Sequence, residues 1–237
     1  MRGKLFLIPT YLDEANTPDF VVPMVKEVIR HTSFYLVENV RTARRFIGSL
    51  KVGVNIDELR FEVMDKNSGS QPISAVLSEM IQLGDVGVMS EAGLPGLADP
   101  GNMAVSWAHK NKVHVVPLPG ASAIQMALIA SGFNGQQFTF HGYLPIDKAE
   151  QTKKLKQMET NAFRTGYTQL FMETPFRNNQ LLQALVDTCA PGTLLSVAAG
   201  ISGSRELIAT QSIKEWSKAL PDIHKIPAVF CIGTYPA

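Results

Sequence analysis

Two stretches of the 237-residue sequence have the residue types and spacing to hold a small ligand by backbone contact. The first, Ser90-Glu-Ala-Gly-Leu-Pro-Gly-Leu-Ala-Asp-Pro-Gly101, places three glycines and two prolines within twelve residues. Glycine lets backbone approach a ligand closely, and proline holds a loop to one shape. Asp99, just ahead of Pro100, is placed to cap a following helix, a role that a purely structural turn would share. The second stretch, Pro117-Leu-Pro-Gly-Ala-Ser-Ala123, leads into Ala121, Ala123 and Ala127, whose small side chains leave room for a ligand or for tight helix–sheet packing. Familiar alternatives are missing. No G-x-x-x-x-G-K-[ST] phosphate loop, no G-x-G-x-x-G after the first strand and no G-x-S-x-G elbow occurs. The five histidines, at 31, 109, 114, 141 and 224, lack metal-ligand spacing, so no metal is expected.

The elements that must position these loops follow from periodicity. Strands are expected at Lys4–Pro9, Ser33–Glu38, Arg60–Met64, Asp85–Ser90 and Lys112–Pro117, with His114 inside the last. Helices are expected at Pro18–Arg30, Ser70–Leu83 and Asn102–Lys110. Ser70–Leu83 carries a Ser cap, Pro72 in the first turn and a face of Ile73, Val76, Leu77, Met80 and Ile81, closed by Gly84. Val86–Ser90 is apolar on both faces, as a buried central strand requires. Strand–helix alternation of this kind predicts an α/β fold with a mostly parallel sheet. In such sheets ligands bind beyond the carboxyl ends of the strands, where the Ser90–Gly101 loop falls.

After Pro117 the texture changes. A small-residue helix at Ala121–Ser131 precedes strands at Gln137–His141, Thr168–Glu173, Leu194–Ala198, Glu206–Thr210 and Val229–Ile232. Helices are expected near Glu150–Glu159, Asn178–Thr188 and Ser212–Leu220. The short Gly-rich link between Leu194–Ala198 and Glu206–Thr210 predicts an antiparallel pair. The expected organisation is an N-terminal α/β domain over 1–117 and a C-terminal α/β domain with a mixed sheet over 118–237.

Lys plus Arg number 22 against 21 Asp plus Glu, a net charge of +1. That balance gives no footprint for gripping long nucleic acid non-specifically. Arg41, Arg44 and Arg45 are spaced to share a helix face, facing solvent or an anion. Lys148, Lys153, Lys154 and Lys156 are interleaved with Asp147 and Glu150. Two cysteines exclude a disulfide framework. The opening MRGKLFLIPTYLDE has a five-residue apolar run before its acidic residues, and no signal peptide is expected. No apolar stretch is long enough to span a bilayer. A soluble, cytoplasmic protein is the expectation.

Glu91-Ala-Gly-Leu-Pro-Gly-Leu-Ala-Asp-Pro-Gly101 with Pro117-Leu-Pro-Gly120 resembles the tetrapyrrole (corrin/porphyrin) methylase superfamily, and within it the ribosomal RNA small-subunit methyltransferase I branch. That branch carries S-D-A-G-T-P-x-x-x-D-P-G followed by V-P-L-P-G-P. The likeness extends over nearly the whole chain. Leu5-Phe-Leu-Ile-Pro-Thr10 resembles the family's first strand, Val37-Glu-Asn-Val-Arg41 its A-E-D-T-R, Gly142-Tyr-Leu-Pro145 its G-F-L-P, and Phe171-Met-Glu-Thr-Pro-Phe-Arg177 its F-Y-E-S-x-x-R. The resemblance implies a two-domain, usually homodimeric methyltransferase that binds S-adenosyl-L-methionine in a cleft between domains, largely through backbone groups. Carried over by position, the cofactor site would involve Pro9, Glu91, Ala92, Gly93, Asp99, Ser122, Ala123, Met172, Glu173, Ala199, Pro227 and Ala228.

Pro9-Thr-Tyr-Leu-Asp13 replaces the family's P-I-G-N-L, and Asn39 stands where the branch has Asp. Val197-Ala-Ala-Gly-Ile-Ser-Gly203 replaces L-A-R-E-L-T-K, and Lys225-Ile-Pro-Ala228 replaces K-G-E with a step more like the tetrapyrrole enzymes. The chain is also expected to lack the C-terminal extension of many ribosomal members. Three readings therefore stand. The first is 2′-O-methylation of a small-subunit ribosomal RNA nucleotide. The others are methylation of a tetrapyrrole or other small molecule, and cofactor binding without turnover. Transfer to a ribose hydroxyl would benefit from a base, for which Glu38, Asp65 and Glu173 are candidates.

Overall fold

The computed structural model describes residues 3–13, 15–64 and 73–235. The chain divides into two compact units, Met1–Ser122 and Ala123–Ala237. In the first, β1 (Leu5–Ile8), β2 (Phe34–Val37), β3 (Arg60–Val63), β4 (Val86–Met89) and β5 (Val115–Pro117) form one sheet in the order β3-β2-β4-β1-β5. Every pairing in it is parallel. β4 is the middle strand and all four of its residues are buried, which its unbroken apolar run predicts.

Period-two alternation sends successive residues of these strands to opposite faces. Leu5, Leu36, Val86 and Val88 pack on α3 (Ile73–Leu83) and α4 (Gly101–Lys110). Ile8, Tyr35, Val37 and Met89 pack on α1 (Pro23–His31) and α2 (Val40–Ser49). Gly87 makes room for the second face: a Cβ there would lie 2.7 Å from Ile8 and 2.9 Å from the Tyr35 ring. Of the α3 face, Val76, Leu77, Met80 and Ile81 are buried. The expected cap at Ser70 and Pro72 lies outside the described residues, as does Asp65.

Two sequence expectations are corrected here. The helix expected over Pro18–Arg30 is a 3-10 turn at Pro18–Phe20 followed by α1, which starts at Pro23. Pro23 bars the preceding residue from helical geometry, and Val22 is extended at ψ 147°. His114 lies just before β5, with its carbonyl accepting from Leu5 N–H at 2.9 Å.

The second unit contains α5 (Ala123–Ala130), β6 (Phe138–Tyr143), α6 (Lys148–Thr165), β7 (Thr168–Met172), α7 (Asn178–Thr188), β8 (Leu194–Ala199), β9 (Leu207–Ser212), α8 (Ile213–Trp216) and β10 (Ala228–Gly233). Its sheet runs β6-β7-β10-β8-β9, with β6 and β7 parallel and the other pairs antiparallel. The core joins Leu155 and Met158 of α6 and Leu181, Leu182 and Leu185 of α7 to Phe171, Val197 and Phe230 of the sheet. The α6 helix outruns its expected span at both ends. Asp147 caps it by accepting from Ala149 N–H and Glu150 N–H, and Gly166 closes it at φ 70°. By contrast α8 stops four residues short of the expected Leu220. The chain turns after Trp216, which is buried with its indole N–H donating to the Leu195 carbonyl at 2.9 Å. Among the described residues no helix is long and apolar enough to cross a membrane, and no cluster of three His, Cys, Asp or Glu could hold a metal.

Candidate functional site

In the first unit the parallel sheet brings the carboxyl ends of β1, β2, β4 and β5 to one edge, and the loops leaving them are tied together. Thr10 N–H donates to the Gly93 carbonyl at 2.9 Å, and Gly93 N–H donates back to the Tyr11 carbonyl at 3.3 Å. The Thr10 hydroxyl adds a bond to the Ser90 carbonyl. Gly93 sits at φ 75°, with Leu12 and the Ala121 carbonyl so near that a side chain would be crowded. Gly120 lies against Pro9, where a Cβ would fall 2.2 Å from the proline ring. Pro9, Gly93 and the loop ending in Ser122 are thus drawn together, with Ser122 buried and Glu91 and Ala92 exposed.

Asp99 holds the shape of the long loop. One carboxylate oxygen accepts from Gly96 N–H at 2.7 Å and from Gly101 N–H at 2.6 Å, the latter being the first residue of α4. Its other oxygen is buried without a hydrogen-bond partner among the described residues. Glu38 accepts from Glu91 N–H at 3.0 Å. Burial, reinforced by the charges of Asp99 and Glu91, pushes the Glu38 carboxyl above the usual glutamate range, although the Glu91 N–H opposes the rise. Asn39 caps α2 by accepting from Arg41 N–H and Thr42 N–H at 2.9 and 3.3 Å, so it does what an Asp would do there.

A cavity of about 410 Å³ opens beside these loops. It is lined by Thr10, Tyr11, Leu12, Asp13 and Asn16 from the segment after β1, by Thr42, Ala43, Arg45, Phe46 and Ser49 from α2, and by Ser90, Glu91 and Ala92 after β4. Of this set the sequence pointed to Arg45, Glu91 and Ala92, to Ser90 as the start of its loop, and to Thr10–Asp13 as a departure from the family pattern, but not to Asn16, Thr42, Ala43, Phe46 or Ser49. A signal was present in α2, since positions 42, 45, 46 and 49 follow helical spacing along one face. The three arginines there do not act together: Arg44 turns to pair with Asp57 and lies 5.9 Å over the Phe61 ring, whereas Arg45 lines the cavity.

The second unit gathers the other expected residues differently. Ala199 pairs with Ala228 across β8 and β10, Met172 pairs with Val229 across β7 and β10, and Gly200 N–H donates to the Pro227 carbonyl at 2.9 Å. Met172, Glu173, Ala199, Pro227 and Ala228 therefore share one edge of the second sheet. Ala123 begins α5, which packs on β10, β8 and β7. Glu173 is 4% exposed and its carboxylate accepts from Arg177 at 2.5 Å and Thr174 N–H at 2.6 Å. That ion pair accounts for the Glu-x-x-x-Arg spacing and occupies Glu173 structurally. Gly200 sits at φ 57°, and a Cβ there would come 2.8 Å from the Arg205 carbonyl, so this turn needs glycine where the family run has a charged residue.

No family model matches the chain. It is 27% identical over 223 residues to the ribosomal RNA small subunit methyltransferase I of Vibrio cholerae, covering 94% of this chain and 68% of that protein. The chain is thus similar, over most of its length, to a ribosomal RNA small subunit methyltransferase I, the branch its loop motifs resemble. The proteins of the same name from Micromonospora olivasterospora and Streptococcus pyogenes are each 32% identical, over 74% of this chain and 52% and 57% of theirs. The chain thus spans between about half and two-thirds of the length of these curated relatives. Its fold is similar to that of the methyltransferase CobJ, with a TM-score of 0.64 at 18% identity over 98% of this chain and 94% of that one. A uroporphyrin-III-C-methyltransferase from Thermus thermophilus aligns over the same shares with a TM-score of 0.56 at 15% identity.

Proposed function

We propose that the chain is an S-adenosylmethionine-dependent methyltransferase that 2′-O-methylates a nucleotide of the small-subunit ribosomal RNA. The observation that carries the reading is the alignment of 94% of the chain with a relative bearing that name, with its two glycine- and proline-rich loops at the strand ends where a ligand would sit. The loops fit the cofactor's chemistry. Glu91 and Ala92 are exposed at the strand end, Gly93 admits no side chain, and the carboxylates of Glu38, Glu91 and Asp99 supply negative charge suited to a cationic sulfonium and ammonium. In this reading Pro9, Glu91–Gly93, Asp99 and Ser122 of the first unit hold the cofactor. The same reading takes the protein to be a cytoplasmic homodimer.

The cofactor supplies a methyl group already activated by its sulfonium. The protein's part is to align the acceptor oxygen, exclude water and take up the hydroxyl proton, and alignment supplies much of the rate. Of the candidate bases, Glu173 is tied into its ion pair and Asp65 lies outside the described residues. Glu38 is the one assigned to the proton, because it accepts from the backbone N–H of the cavity-lining Glu91 and burial holds its carboxyl above the usual glutamate range, which makes it a stronger base.

The test is methyl-tritiated cofactor with unmodified small ribosomal subunits. Label in one nucleotide whose 3′ linkage resists alkali is the expected result. Label on a base, or cofactor binding by calorimetry without any transfer to subunits, would overturn the assignment.

A further inference from the structure

The 410 Å³ cavity is built within the first unit, and the segment that replaces the family's P-I-G-N-L, Pro9 to Asp13, supplies four of its lining residues. That segment is fixed in place. Two backbone bonds tie Thr10 and Tyr11 to Gly93. The Tyr11 hydroxyl donates to Ser49 at 3.0 Å, since the Ser49 hydroxyl is committed to the Phe46 carbonyl at 2.7 Å. Its ring meets Phe46 edge-on, with centroids 4.8 Å apart at 75°. Asp13 and Asn16 close a tight turn on each other, with Asp13 N–H donating to the Asn16 amide oxygen at 3.2 Å and Asn16 N–H to the Asp13 carbonyl at 3.0 Å. A half-buried aromatic ring held from two sides is a preorganised stacking surface.

The charge of the wall is informative about what enters. Among the described lining residues Arg45 is the single cation, and it is already engaged in a protein contact. Against it stand Asp13 and Glu91, with Glu38 bonded to the Glu91 backbone. A polycarboxylate macrocycle would bring several anionic groups onto a wall that is net negative, with the cost of like charges in a partly dry space. An uncharged heterocycle meets no such cost, and the hydroxyl oxygens of Thr10, Thr42, Ser49 and Ser90, whose protons are donated within the protein, keep lone pairs that can accept from its edge. The volume is in the range of small-ligand sites.

We propose that this cavity receives the base of the acceptor nucleotide, swung out of its stack, with Tyr11 as the stacking face. The inference rests on the ribosomal RNA reading above and deepens it. Enzymes that work on single nucleotides commonly extrude the target and read it in a pocket of this kind. The acidic wall then excludes tetrapyrrole acceptors.

Backbone amide NMR of the full chain, titrated with each common ribonucleoside 5′-monophosphate and separately with uroporphyrin, tests the pocket without requiring turnover. Saturable shifts at Tyr11, Asn16, Thr42 and Ala92 with the nucleotides are expected, and none there with uroporphyrin. Tyr11→Ala should weaken the nucleotide by about tenfold while Tyr11→Phe retains it, as loss of a stacking ring predicts. Unchanged spectra elsewhere in Tyr11→Ala verify that it folds. No saturable shift with any nucleotide, equal binding by Tyr11→Ala, or uroporphyrin displacing nucleotide would overturn the proposal. The tritium assay on small subunits reads the reaction separately. Nucleotide shifts without transfer refute the reaction and leave the pocket standing, whereas transfer without nucleotide shifts refutes the pocket alone.

Discussion

The two sheets end in opposite ways. At the carboxyl edge of the first, loops are joined through backbone hydrogen bonds, carboxylates are half-buried, and a cavity opens beside them. At the corresponding edge of the second, alanines pair across strands and the buried Glu173 carboxylate is neutralised by an arginine four residues on. A parallel sheet leaves every strand end at one edge to be finished by a loop, whereas an antiparallel pair finishes itself by turning back. The first edge can therefore vary its chemistry by changing loops, and the second is suited to hold a fixed surface. If this contrast is right, substitutions at the first edge should alter turnover and selectivity, and those at the second should alter stability.

The largest expected effect is at Glu38. Glu38→Gln keeps an oxygen for the Glu91 N–H but cannot take up a proton. The turnover number on small subunits, measured at saturating cofactor, should fall by about 10²–10⁴-fold, the usual worth of a general base. Transfer at the wild-type rate would assign the proton elsewhere and remove the functional half of the contrast.

Arg177→Ala tests the other edge. It leaves the Glu173 carboxylate buried with only the Thr174 N–H, and unfolding free energy should drop by about 3 kcal/mol or more. Urea denaturation measures this directly. A loss below about 1 kcal/mol would mean that water reaches Glu173 and that this edge is more open than its packing indicates.

A pair of glycines sharpens the comparison further. Gly120→Ala drives a methyl into Pro9, 2.2 Å away, and should cost about 1–3 kcal/mol while loosening the loops around Gly93. Gly192→Ala, in the second unit, meets nothing within 4 Å and should stay within about 0.5 kcal/mol of wild type. Equal losses for the two would show that the Pro9 contact relaxes freely.

What the sequence disclosed follows the same division. Elements governed by local signals were legible: α7 has the expected bounds, β4 is the buried centre that its apolar run predicts, and the β8–β9 pair is antiparallel. The helix entry at Pro23 was misjudged because one proline can either begin a helix or sit in its first turn, and periodicity does not tell these apart. The two glycine-rich loops were visible because glycine and proline have no other economical use at that density. The cavity was not, because its wall is assembled from three segments far apart in the chain, and only tertiary packing brings Tyr11, Phe46 and Glu91 together. Glu173 illustrates the remaining ambiguity. Its spacing to Arg177 is plain in the sequence, but the burial of its carboxylate against that partly buried arginine appears only in the structure.

The smallest effect concerns the pH dependence of stability, and it has a sign. The Glu38 carboxyl is raised in the folded protein, chiefly by burial and then by the neighbouring Asp99 and Glu91 charges, so the folded state binds its proton more tightly than the unfolded state does. The favourable contribution is therefore fully present below the ordinary glutamate value of 4.5 and is lost as pH rises through the folded value. Relative to Glu38→Gln, which cannot titrate, wild-type protein should lose stability as pH climbs from about 4.5 and then level off. The loss should be modest, because the carboxyl is only half-buried and water screens its neighbours. Urea midpoints of both proteins across the acid range supply the measurement. A wild-type curve that gains on the variant with rising pH would mean that the Glu91 N–H outweighs burial. Glu38 would then be a structural carboxylate like Glu173, and the two edges would differ in shape alone.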